Sequence, residues 1–196
     1  PDVQVRYAAG QPITVTGTVT IPSARIDLER LDQGVSASPD VVVLDPVNPE
    51  ASAASPLDLD LTLALGDDVQ LNGFGLEGGL GGRMRVRSHP GREMTASGQL
   101  QVSGRYKAYG QKLDITRGEL SWSGGPVSDP ILNIRAERVI GDVTAGVDIR
   151  GRASAPTATA WTDPASSQSE ALAYLTLGRP LASASSDESR QVNAAS

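Results

Sequence analysis

The chain has 196 residues, a formal net charge of −6, no cysteine, one histidine and only 4% aromatic residues. This length suits one sizeable domain, the lack of cysteine excludes disulfides and thiolate metal sites, and the negative charge argues against nucleic acid as a partner. The histidine, His89, lies in the turn sequence Ser-His-Pro-Gly, where a solvated loop side chain is the expected role.

The first part of the chain alternates apolar and polar residues. Val3 to Tyr7 and Ile13 to Ile21 predict strands, Pro22 is expected to end the second, and Ala24 to Leu28 predict a third. A short apolar run at 41–44 predicts another strand. Residues 45–56 contain three prolines and predict a flexible, exposed excursion.

The segment from Leu57 to Leu65 reads LDLDLTLAL, with five leucines at alternate positions. A period of two places all five leucines on one face of a strand and Asp58, Asp60 and Thr62 on the other. Burial of a leucine stabilises a fold by about 1.5–3 kcal/mol, so leaving this face in water would forfeit on the order of 10 kcal/mol. Something apolar must therefore cover it.

Further alternation predicts an all-β architecture downstream of the leucines. Gly66-Asp67-Asp68 is expected to turn the chain, Val69 and Leu71 to start the return strand, and a glycine-rich segment runs to Gly82. Short strands separated by turn signals are then predicted at 83–87, 94–102, 104–108, 112–116, 119–123, 131–137, 143–150 and 151–161.

One helix is predicted near the C-terminus. Ser167 and Glu170 have the spacing of a capping box, Ala171, Leu172, Tyr174 and Leu175 form an apolar stripe, and Gly178 with Pro180 marks the end. Residues 1–181 are interpreted as a single curved β-sheet domain. Residues 182–196 are interpreted as a polar tail that is disordered or truncated.

The size of this helix limits how the apolar face is covered. A helix of ten residues is about 15 Å long and about 10 Å wide, whereas a sheet of roughly ten strands is about 40 Å or more across. The sheet must therefore curl over its own apolar face as a closed barrel, a sandwich or an open trough, or else hold an apolar ligand. The helix would suit a plug at one end.

Three polar or glycine-rich motifs have structural interpretations that compete with functional ones. The Gly73 to Gly78 segment matches a dinucleotide fingerprint, but an arginine-alternating strand follows it where a helix is required, so bends in a curved sheet are favoured. Asp58 and Asp60 fit a solvated strand face better than a calcium site. Arg83, Arg85 and Arg87 form a basic ladder that could contact lipid head groups or simply face solvent.

No catalytic constellation accompanies these motifs. The sequence has no Gly-x-Ser-x-Gly element and no triad can be built around the single histidine, so a non-enzymatic protein without a cofactor or a metal ion is expected.

Several segments together resemble a known family. Residues 104–126 read GRYKAYGQKLDITRGELSWSGGP, residues 129–138 read DPILNIRAER, residues 146–151 read GVDIRG, and residues 163–179 contain the predicted helix. These segments, with residues 38–45 and the glycine-rich stretch upstream, resemble the C-terminal conserved domain of the TamB family. The resemblance covers nearly the whole chain.

The resemblance implies an all-β fold, a strongly curved sheet forming a trough with an aliphatic interior, plus one short helix near the C-terminus. It implies a periplasmic domain of a protein anchored in the inner membrane of a diderm bacterium. Members pair with the outer-membrane barrel protein TamA, assist outer-membrane protein assembly, and belong to AsmA-like proteins linked to phospholipid movement between membranes. The family's TamA contact is expected to lie beyond this fragment.

We therefore expect a scaffold whose aliphatic trough shelters either phospholipid acyl chains or an unfolded outer-membrane β-strand. The expected groove-lining residues alternate along predicted strands and are Leu57, Leu59, Leu61, Leu63, Leu65, Val69, Leu71, Leu100, Val102, Val147 and Ile149. Two other hypotheses stay open, namely a self-closed structural sandwich and a carbohydrate-binding β module. The low aromatic content counts against the second.

Overall fold

A computed structural model describes residues 2–27, 57–108 and 110–181. The predicted strand at 41–44, the predicted excursion at 45–56 and the predicted tail at 182–196 lie outside these ranges. The described chain forms one sheet of nine strands followed by one helix. The elements are β1 (Asp2–Arg6), β2 (Ile13–Asp27), β3 (Leu57–Gly73), β4 (Leu76–Ser88), β5 (Thr95–Ala108), β6 (Gln111–Pro126), β7 (Ile131–Ile140), β8 (Val143–Arg152), β9 (Ala155–Asp163) and α1 (Gln168–Leu177).

The strands are neighbours in space in the order in which they occur in the chain. Every adjacent pair is antiparallel except β2 and β3, which run parallel from Ile13 opposite Leu57 to Asp27 opposite Asn72. The sheet is open and curved and does not close into a barrel. The expected all-β fold with a strongly curved sheet and a short C-terminal helix is confirmed.

Several predicted turns are wrong because bulges keep the strands continuous. Pro22 does not end a strand: β2 runs through it, and the β2–β3 register shifts between Ile21 and Ser23. A bulge tolerates proline because the ladder is locally interrupted there. Gly66-Asp67-Asp68 likewise lies inside β3, so Val69 and Leu71 continue that strand and do not start a return strand.

These two bulges meet. A Cβ on Gly66 would lie 2.8 Å from the Pro22 carbonyl oxygen, closer than any side chain permits. Glycine is therefore required where the two long strands bend together.

Other predicted boundaries merge short strands into long ones. Residues 104–108 belong to β5, and the strands predicted at 112–116 and 119–123 are both parts of β6. A register shift between β6 and β7 after Ile115 absorbs the glycine-containing segment that suggested a break. The last strand starts at Ala155 and not at Gly151, which still belongs to β8.

The predicted helix forms with the expected ends. Ser167 Oγ accepts a hydrogen bond from the Glu170 N–H at 3.2 Å, and Gly178 adopts a left-handed φ of 69° with its N–H donating to the Tyr174 carbonyl. These contacts satisfy backbone groups that helix ends leave unpaired. Within the described ranges, no helix combines the length and the apolar character needed to span a bilayer.

Two apolar clusters lie along the sheet. The first joins Leu113, Ala136, Ala145 and Ala160 of the sheet to Ala171 and Leu175 of α1. The second contains Met84, Val86, Ala96 and Leu100, with Leu59, Leu63, Leu65 and Trp122 packed against it. The helix therefore covers only part of one sheet face, as its size predicted.

Candidate apolar binding site

One face of the sheet is predominantly apolar. The registers align Leu63 of β3 with Met84 of β4, and they align Ile134 of β7 with Ile149 of β8 and Ala158 of β9. Directly opposed residues point to the same side of a sheet, so these rows share a face. The helix α1 packs on this side.

A cavity of about 410 Å³ lies on this face. Its lining comes from β3 to β8 and the β3–β4 turn, and consists of Leu71, Gly73, Phe74, Leu76, Val102, Tyr106, Ile115, Leu120, Ile134, Ala136, Val147 and Ile149. Six consecutive strands can line one cavity only if the sheet bends around it. We therefore call this side the concave face and the opposite side the convex face.

The cavity lies next to the first cluster. Ala136 belongs to both, while Tyr106, Ile115 and Val147 line the cavity and also pack against the cluster. Helix α1 therefore lies beside one end of the cavity, although none of its residues lines it. The volume is within the range of about 300–1,000 Å³ typical of ligand pockets, and the lining is almost wholly apolar.

The predicted lining residues divide among several places on the concave face. Leu71, Val102, Val147 and Ile149 line the cavity. Leu100 is part of the second cluster, and Leu59, Leu63 and Leu65 pack against it. Leu57 and Leu61 are half-buried, and Val69 is buried with 1% exposure.

Eight residues of the cavity wall were not among the lining residues predicted from the sequence. They are Gly73, Phe74, Leu76, Tyr106, Ile115, Leu120, Ile134 and Ala136. The period-two alternation of β6 and β7 would have found Ile115 and Ile134, since both strands were predicted. Phe74 gave no periodic signal, because it lies in the turn after Gly73 with a φ of 50°.

Comparisons with known proteins agree with the sequence resemblance. The family profile described as TamB C-terminal domain matches residues 1–196. The chain belongs to the TamB family. It is 34% identical over 202 residues to a Haemophilus influenzae protein named translocation and assembly module subunit TamB, a match that includes 93% of this chain. The chain spans 15% of the length of that relative.

In this TamB domain the convex face is polar and held by ion pairs. Arg85 donates two hydrogen bonds of 2.6 Å to the Asp60 carboxylate, and Arg87 lies 3.7 Å from it. The bonds from Arg85 lower the pKa of Asp60 and raise the pKa of Arg85. His89 Nδ1 lies 2.9 Å from Asp58. The acidic strand face and two arginines of the basic ladder thus pair with each other.

A second convex cluster joins β7, β8 and β9 of the TamB domain. Arg135 donates two hydrogen bonds of 2.7 Å to Asp148, and its guanidinium lies 4.6 Å from the centroid of the Trp161 ring. Hydrogen bonding to Arg135 holds the pKa of Asp148 below its usual value. The Trp161 ring also covers Gly146, where an added Cβ would lie 2.4 Å from a ring carbon.

The glycine motif of the TamB chain forms a turn. Phe74 and Gly75 connect Gly73, the last residue of β3, to β4, and residues 76–88 that follow are a strand. The helix that a dinucleotide site requires at this position is therefore replaced by β4, and the motif forms a hairpin turn where bends in a curved sheet were expected.

Proposed function

We propose that this chain is a non-enzymatic, periplasmic part of a translocation and assembly module subunit whose concave face shelters phospholipid acyl chains. The TamB assignment supports membership of such a module, because the Haemophilus influenzae relative is named as a subunit of one. The observation that carries the proposal is the apolar cavity of about 410 Å³ on a sheet that one short helix covers only in part.

Acyl chains suit this cavity for a physical reason. They carry no hydrogen-bonding groups, so aliphatic walls of adaptable shape are enough to hold them, and each buried CH₂ contributes about 0.8 kcal/mol. The predicted lining residues Leu57 to Leu65 extend the same aliphatic surface along β3. Lipids would then lie along the concave face, with the convex ion pairs in water.

A second candidate cargo is an unfolded outer-membrane β-strand. The described sheet is open, so β1 and β9 are edge strands, and Val3, Val5 and Tyr7 at the β1 edge are exposed. An incoming strand could pair with such an edge through main-chain hydrogen bonds. In either case we infer an outer-membrane TamA protein as the partner of the whole subunit, through a contact beyond this fragment.

Two valines on neighbouring strands provide a matched test. Val147 lines the cavity, whereas Val139 lies on the convex face with 71% exposure. A photocrosslinking residue at position 147, in the chain expressed in its native envelope, should form adducts with phospholipid. The same residue at position 139 should not. Adducts with an identified outer-membrane protein at 147 would favour the client-strand function, and equal lipid yields at both positions would contradict a role for the cavity.

A second test uses a cellular readout. Leu61 and Leu63 lie on the concave side of β3, and Thr62 between them lies on the convex side. Replacing both leucines by Asp should abolish complementation of a strain without the native gene, and Thr62→Asp should leave it intact. Full complementation by a folded double variant would contradict the proposal.

A further inference from the structure

One charged residue, Arg138, lies on the concave face of the described strands. Arg138 of β7 is opposite Ala145 of β8, the residue of the first cluster with 0% exposure. The alternation of β7 is intact around it, since Ile140 packs against the first cluster while Val139 is exposed on the other side. Arg138 therefore shares its face with helix α1 and with the cavity.

Among the described strand residues, no other charged side chain lies on this face. Among those with a paired register, every other concave position is apolar, glycine, serine, threonine or the uncharged Gln111. Arg138 is half-buried, and it makes no hydrogen bond or ion pair with the described residues. On the convex face, by contrast, Arg85 and Arg135 each have a bidentate carboxylate partner.

The position of Arg138 relative to the cavity is informative. Ala136 lines the cavity and precedes Arg138 by two residues on the same face of β7. Two residues of a strand span about 7 Å. Arg138 therefore lies one row beyond the aliphatic wall of the cavity, toward the β7–β8 turn.

We propose that Arg138 binds the phosphate of a phospholipid whose acyl chain occupies the cavity. This inference rests on the proposed function and adds the polar half of the ligand and its orientation. A guanidinium binds phosphate through two parallel N–H···O bonds and is less strongly hydrated than an ammonium group, so it suits a half-buried site. An anion would supply the partner that the described chain does not.

The test compares two lipids that share their acyl chains. The probes are pyrene-labelled phosphatidylglycerol and the matching pyrene-labelled diacylglycerol, which lacks the phosphate. The unmodified chain should bind phosphatidylglycerol at least about tenfold more tightly, the effect expected of hydrogen bonds to a charged group. Arg138→Gln should remove this preference and leave diacylglycerol binding unchanged, while Arg138→Lys should keep part of it.

The control removes the same charge from the other side of the sheet. Arg83 is exposed on the convex face of β4, so Arg83→Gln should keep the full preference for phosphatidylglycerol. Retention of the preference in Arg138→Gln would overturn the inference, as would an equal loss of both lipids, which indicates a structural role. Failure of the unmodified chain to bind either lipid would overturn the proposed function itself.

Discussion

The contact between Gly146 and the Trp161 ring leads to a quantitative prediction. In Gly146→Ala the new Cβ would lie 2.4 and 2.6 Å from two ring carbons of Trp161 and 2.9 Å from the Ala136 carbonyl oxygen. The ring must move, and it then leaves the Arg135 guanidinium that lies 4.6 Å from its centroid. Overpacking costs about 1–3 kcal/mol and loss of an exposed cation–π contact about 0.5–1 kcal/mol, so the free energy of unfolding should fall by about 1.5–4 kcal/mol.

Urea denaturation followed by tryptophan fluorescence and far-UV circular dichroism measures this loss. Gly81→Ala is the matched control, because no atom lies within 4 Å of its added Cβ, and it should change stability by less than about 1 kcal/mol. In a Trp161→Ala background the cost of Gly146→Ala should shrink, which a double-mutant cycle detects. Equal stability of the two alanine variants, or an undiminished cost without the tryptophan, would refute the steric explanation.

Three further predictions concern the convex face, the helix and the sheet edge. Arg135 lowers the pKa of Asp148 below its usual value of 3.8, so the Asp148 carboxylate stabilises the fold above that pH, and this stability is lost as the pH falls through the folded-state pKa. Asp148→Asn should therefore weaken the dependence of the free energy of unfolding on pH at acid pH. An unchanged dependence would contradict the pairing. Ser167→Ala should destabilise α1 by about 1 kcal/mol, seen as faster hydrogen exchange of its amides, whereas unaltered exchange would argue against the N-cap. With its amide nitrogen facing the Ala160 carbonyl, the Gln168 side chain donates to that oxygen and accepts from the Ala160 N–H, both at 3.1 Å. Gln168→Ala should therefore expose the backbone groups of the β9 edge and increase self-association, which light scattering measures. A monodisperse variant would refute this.

Local periodicity predicted the faces of the strands well. The leucines of β3 fall on one side because a period of two is encoded by nearest neighbours alone, and the capping residues of α1 also act locally. The curved sheet followed from a size comparison between one short helix and many strands. These conclusions needed no knowledge of which strands pair.

Strand continuity could not be predicted in this way. Pro22 and Gly66 are ordinary turn signals, and only their approach across the parallel β2–β3 pair turns them into matching bulges inside long strands. The cavity was also only partly predictable. Alternation within the predicted strands could indicate Ile115 and Ile134, but Phe74 contributes to the wall from a turn and has no periodic signal. The role of Arg138 could not be predicted from the sequence, because only the pairing of β7 with β8 shows that it lies on the concave face.

A sheet whose strands follow chain order has a modular consequence. From β3 to β9 each strand pairs only with the strands before and after it, so insertion or deletion of a whole hairpin would leave every remaining pair in register. Each added hairpin would widen the apolar concave face by about 10 Å, twice the spacing between strands. Evolution can thus extend or shorten the concave face two strands at a time without changing the pairing of the other strands.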